Sequence, residues 1–95
     1  MSINVIVELK AKPGQRDELI SLIEGMLNGP PMPGSLGATF YRAVDDADLL
    51  VEIAEWESAA AREAVMKELE ASGAFAPMIE LLAAPMRGTL VEPLR

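Results

Sequence analysis

The sequence predicts an α+β fold in which four strands form one antiparallel sheet and the helices lie against one of its faces. Three observations lead there. Residues 3–10 alternate apolar and polar in the period of a strand; residues 15–27 and 59–71 repeat their apolar positions in the period of a helix. Between those helices, residues 40–58 set two apolar runs around an acidic turn and end near Trp56, the single tryptophan. Taken in order, the first strand places Ile3, Val5, Val7 and Leu9 on one face, with Asn4, Ile6, Glu8 and Lys10 on the other. Pro13-Gly14 ends it.

In residues 15–27 the apolar positions 19, 20, 22, 23, 26 and 27 form one helical stripe, leaving Arg16, Asp17, Ser21 and Glu24 for solvent. Asn28-Gly29-Pro30-Pro31 stops the helix, and the prolines up to Gly34 allow only a loop, a candidate lid. Residues 36–44 and 48–56 are the next two strands, rich in types that suit a pleated surface. Asp45, Asp46 and Ala47 turn the chain between them, so the two runs form a hairpin. Ser58 can cap a helix over 59–71, whose Ala61, Ala64, Val65 and Leu69 share a side. Ser72-Gly73 ends it. Pro77 opens a short helix over 76–83 with Met78, Ile79 and Leu82 inward, and residues 86–92 are the last strand. The order βαββαβ, with a short extra helix before the final strand, is the ferredoxin-like split βαβ arrangement.

Ninety-five residues suit one domain, taken as residues 1–95, which buries about two thirds of its unfolded surface. Hydrophobic residues are 51% and aromatics 4%, so the core is built from aliphatic side chains and methionine. Both sheet faces are apolar: Leu49, Val51 and Ile53 lie opposite to Leu50 and Ala54, and Ile6 opposite to Val5 and Val7. Helices cover only one face, so a homodimer packed sheet to sheet is expected.

The net charge of −7 and scattered basic residues argue against a nucleic-acid partner. No apolar run approaches the roughly 20 residues of a membrane span, and residues 1–12 are too short and polar for a signal peptide. A cytoplasmic location is expected, and the lack of cysteine fits it. With neither cysteine nor histidine, thiolate chemistry, histidine triads, and histidine-ligated haem or metal sites are excluded. Asp45, Asp46 and Asp48 lack the spacing and glycine of a calcium loop.

Lys12-Pro13-Gly14, Pro33-Gly34, Tyr41-Arg42 with Asp45-Asp46, and Glu55-Trp56-Glu57-Ser58, in this order, resemble the antibiotic biosynthesis monooxygenase domain family over nearly the whole chain. Its members are homodimers whose two sheets form an α+β barrel, with a pocket between sheet and helices in each subunit. The resemblance implies oxygenation of a small aromatic, phenolic substrate to a quinone without metal, flavin, haem or other cofactor. A deprotonated, electron-rich phenol passes an electron to dioxygen itself, so the protein need only orient the ring, favour the phenolate and exclude water.

On that resemblance the face of Glu52, Ala54 and Trp56 turns to the pocket. Trp56 offers an indole donor and a flat surface, as well as being a packing anchor. Quinone-forming members carry an amide at the position of Glu52; a carboxylate there would repel a phenolate, yet could act as a base. Glu52 and Trp56 are the catalytic candidates. An ion pair from Glu52 to Arg42 across the hairpin is the alternative for that carboxylate. A three-residue turn would set Phe40 opposite Glu52, a four-residue turn Tyr41. Phe40, Tyr41, Arg42, Arg62, Phe75 and Met78 are the candidates for substrate binding, with Arg87 a further cation. A haem-degrading branch of the same superfamily uses histidine, tryptophan and asparagine where this chain has Ile79, Val65 and Val7. A dimeric module that binds or senses a small aromatic molecule without catalysis, and an isomerase or cyclase of the same fold, are the competing readings.

Overall fold

The computed structural model describes residues 2–95. Its elements follow the order β1 (Ile3–Lys10), α1 (Arg16–Leu27), β2 (Ser35–Arg42), β3 (Leu49–Trp56), α2 (Ala59–Ser72), α3 (Ala76–Leu81) and β4 (Arg87–Val91). The strands make one antiparallel sheet in the order β2-β3-β1-β4. This is the ferredoxin-like arrangement that the element order predicts.

Alternation along β1 and β3 decides which face meets the helices. Val5, Val7 and Leu9 of β1 and Leu50, Ala54 and Trp56 of β3 are buried, and they pack with Leu19 and Ile23 of α1, Val65 of α2, and Met78 and Leu82 at α3. Ile6 and Ile53 are directly paired on the other face and stay exposed, at 37% and 39%.

Local chemistry fixes the ends. The Ser58 hydroxyl accepts from the amide of Ala61, satisfying one of the free donors that begin α2. Gly73, with φ 75°, closes that helix in the left-handed conformation that glycine adopts without strain. Gly34 (φ +84°) lies where a side chain would collide with Ala61: an added Cβ would sit 2.7 Å from the Ala61 Cβ. Its carbonyl accepts from the Glu57 amide at 2.8 Å, so this loop is seated directly on the entrance to α2.

Several boundaries differ from expectation. β2 ends at Arg42, because the Asp46 carbonyl accepts from Leu49 N–H and the Asp46 carboxylate accepts from Asp48 N–H, winding the chain into a longer turn. Lys10 pairs with Asp46 and Arg16 donates to its carbonyl, so the turn is tied to β1 and α1. α3 stops at Leu81, since Leu82 is extended and the chain then bonds alongside the end of β1 through Lys12 N–H to Leu81 O and Ala83 N–H to Lys10 O. In α2, Ala64 is exposed instead of inward; the side facing the sheet is Arg62, Val65, Met66 and Leu69.

Candidate functional site

The β2–β3 ladder pairs Phe40 with Glu52, selecting the first of the two hairpin registers. Glu52 thereby lies between Leu50 and Ala54 on the helix side of β3, under α2 and α3. A cavity of about 350 Å³ opens there. Trp56, Phe40 and Phe75 line it, as do Met26, Met32, Met66, Met78 and Met86, every methionine after Met1. Leu27 at the end of α1 and Ile79 on α3 line it too while 52% and 57% exposed, which puts them at its mouth.

Such walls suit a flat apolar ligand. Thioethers on unbranched side chains reshape around a ring and make favourable sulfur–aromatic contacts, and pockets of roughly this size hold small organic molecules. Polar groups are few: Glu52, Arg62 and Glu70 are the ionisable lining residues. Burial raises the pKa of Glu52 above that of a solvated carboxylate, and the nearby Arg62 charge offsets part of the rise. No ion pair or side-chain hydrogen bond joins the two among the described residues, where the only ion pairs are Lys10–Asp46 and Glu63–Lys67. Glu52 thus keeps its carboxylate lone pairs free, in a setting that makes it a stronger base than a surface glutamate.

Six of the residues singled out from sequence are brought together here: Trp56, Glu52, Phe40, Arg62, Phe75 and Met78. Tyr41 is not. It pairs with Val51 on the outer face and is 51% exposed. Arg42 shares the inner side with Phe40 but sits at the exposed end of β2 opposite Leu50, outside the cavity lining, and forms no ion pair with Glu52. Arg87 lies across from Glu8 and lines a larger, more open depression of about 590 Å³ with Lys10, Asp46 and Leu49. That depression mixes opposite charges at the surface and offers no enclosed apolar wall, so it is the smaller cavity that can hold a ring away from water. Asp45 and Asp48 belong to the hairpin turn, Asp48 accepting from Gly14 N–H at 3.2 Å.

The lining residues missed in the sequence are Met26, Met32, Met66, Glu70, Met86 and Gly88. Met66 and Glu70 stand four and eight residues beyond Arg62, so helical spacing from that arginine would have found them. Met32 in the proline-rich loop and Met86 before β4 carry no periodic signal.

The antibiotic biosynthesis monooxygenase family model matches residues 2–77. None of the curated proteins compared with the chain matches it. Among solved structures, a candidate antibiotic biosynthesis monooxygenase from Chloroflexus aurantiacus J-10-fl is 25% identical with a TM-score of 0.76, the alignment covering 100% of this chain and 97% of that one. Rv0793 from Mycobacterium tuberculosis is 23% identical (TM-score 0.80; 100% and 97% covered). A variant of SnoaB, a cofactor-independent oxygenase from Streptomyces nogalater, is similar in fold at 15% identity (TM-score 0.78; 99% and 94% covered). With its element order, its cavity between sheet and helices, and a family match over most of its length, the chain belongs to the antibiotic biosynthesis monooxygenase family.

Proposed function

We propose that this chain is a cofactor-independent monooxygenase that oxidises a small phenolic, polyketide- or quinol-like substrate with dioxygen, working as a cytoplasmic homodimer of one-domain subunits. The observation that carries the reading is a half-buried carboxylate, Glu52, with a raised pKa and no ion-pair or hydrogen-bond partner among the described residues, in a cavity walled mostly by methionine, aromatic and aliphatic side chains.

Glu52 takes the phenolic proton, and the carboxylic acid so formed is neutral. It therefore does not repel the phenolate that it has made, and can donate a hydrogen bond back to it. This answers the objection raised by a carboxylate where quinone-forming members have an amide. Arg62 supplies positive charge on the same wall, and Trp56 and Phe40 hold the ring. The phenolate gives one electron to dioxygen; the aryloxyl radical and superoxide combine at a ring carbon; Glu52 returns its proton to the peroxide anion so formed; the hydroperoxide loses water, with the hydrogen of that ring carbon, to leave a quinone carbonyl. One oxygen atom enters the product and the other leaves as water, with all four electrons drawn from the substrate and the two hydrogens of that water from its O–H and its C–H.

Following anthraquinone absorbance from anthrone under air tests the reading. Turnover above the buffer rate that survives a metal chelator and falls on the order of a hundredfold in Glu52→Gln supports it. A rate equal to that of buffer, together with saturable quenching of Trp56 fluorescence by anthrone, gives the binding module instead.

A further inference from the structure

We propose that Gly88 is a positioning residue: its missing side chain is the berth of the Arg62 guanidinium, and through it the cavity selects ligands whose aromatic hydroxyl ionises. The inference rests on the proposed function for the identity of the site, but not on catalysis.

Gly88 pairs with Val7 in the β1–β4 ladder, so a side chain there would point to the helices, and Gly88 lines the cavity. Its backbone does not require glycine. The positive-φ glycines are Gly14, Gly34, Gly37 and Gly73, so at position 88 the chain follows a path open to any L residue. The constraint is space. A Cβ at Gly88 would lie 3.5 Å from Val5 Cγ1 and 3.8 Å from Val7 Cγ2, which is ordinary contact, but 3.2 Å from Nη2 of Arg62, which is tight and would displace the guanidinium by a few tenths of an ångström.

Arg62 is an unusual residue to accommodate. It stands in the first turn of α2, where the free amide groups already make the helix end positive and where no acidic residue balances it. Its guanidinium has neither an ion-pair partner nor a side-chain hydrogen bond among the described residues, although Glu52 is near enough to feel its charge. Water still reaches the unpartnered guanidinium nitrogens, but a helix dipole of the same sign makes the position an unfavourable one for a cation. An oxyanion in the cavity that Arg62 and Glu52 both line would give the cation a partner. A phenol suits that pair in either protonation state: its O–H donates to the Glu52 carboxylate, and its oxyanion accepts from Arg62. An aliphatic alcohol is too weak an acid to ionise there, and an aromatic hydrocarbon offers neither contact.

The test uses 4-nitro-1-naphthol, whose anion absorbs in the visible, titrated with the full-length protein across pH so that the apparent pKa of the bound probe is read directly. The wild type is expected to lower that pKa below the free value and to bind the anion roughly tenfold to a hundredfold more tightly than Arg62→Met does. Gly88→Ala is expected to lose part of the same preference while keeping the far-ultraviolet spectrum. In the Arg62→Ala background, Gly88→Ala should change nothing further, since the two act through one contact. Equal effects of Gly88→Ala with and without Arg62 would overturn the proposal, as would anion binding indifferent to Arg62. If Gly88→Ala alone does not fold, Arg62→Ala/Gly88→Ala should, because the crowding atom is gone; failure of the double variant to fold also overturns it. Anion selectivity that depends on both residues without any oxygen uptake would sink the oxygenase reading and leave this one standing.

Discussion

At the scale of single residues, the account turns on Glu52. Desolvation raises its pKa from the ordinary 4.5, with Arg62 partly opposing the rise. Between that ordinary value and the folded one, the native state holds a proton that the unfolded chain has released, so stability falls as pH rises through the window. Ionised Glu52 is thus a cost at neutral pH. Glu52→Gln is expected to melt at a higher temperature than the wild type at neutral pH, with the gap closing as pH drops below 4.5; thermal melts of both proteins over a pH series check it. A variant that is both more stable and less active would mark a residue kept for chemistry. Asp46 works in the opposite sense. Its pKa is lowered, first by the side-chain hydrogen bond from Lys10 and then by the Asp48 amide, so its contribution is present above 3.8 and is lost as pH falls through its folded pKa.

At the scale of elements, the loop before β2 and the entrance to α2 are one unit. Gly34→Ala would need a left-handed backbone and would press a methyl group into Ala61, so it is expected to cost more than about 1 kcal/mol in denaturant unfolding, and Ala61→Gly should restore part of the loss. Ser58→Ala, which removes the cap of α2, is expected to cost about 1 kcal/mol by the same measurement. β1 was readable in the sequence because Ile3, Val5, Val7 and Leu9 share one face, whereas β3 is apolar on both faces and its inner side followed only from the family resemblance. The inner side of α2 was not readable, since alanine on every side of a helix gives a weak stripe, and a cavity-facing arginine reads as a solvent-facing one. Hairpin register depended on how Asp46 winds its turn, which composition does not reveal. The aromatic members of the site were legible as a group; Met32, Met86 and Gly88 were not, because a loop and a five-residue strand carry too little pattern.

At the scale of the whole molecule, the outer face of the sheet presents Ile6, Ile53 and Tyr41, all exposed, with Val51 between them. An exposed apolar strip of this kind marks an interaction surface. In the proposed homodimer two copies pair sheet to sheet over it, and Ile53→Glu, which adds like charges at that contact, is expected to shift sedimentation from dimer to monomer. A wild-type monomer at micromolar concentration would contradict that assembly. Because the cavity lies on the opposite side of the sheet, Ile53→Glu is expected to leave naphthol binding within a few fold of the wild type.

The most direct test of the central claim, that Glu52 ionises a phenol inside the cavity so that dioxygen can oxidise it, is the pH dependence of anthrone-driven oxygen consumption in wild type and Glu52→Gln. The wild-type rate is expected to rise with pH through a single ionisation raised above the ordinary glutamate value, while the variant is on the order of a hundredfold slower and lacks that ionisation. The same profile and rate in both proteins would contradict it.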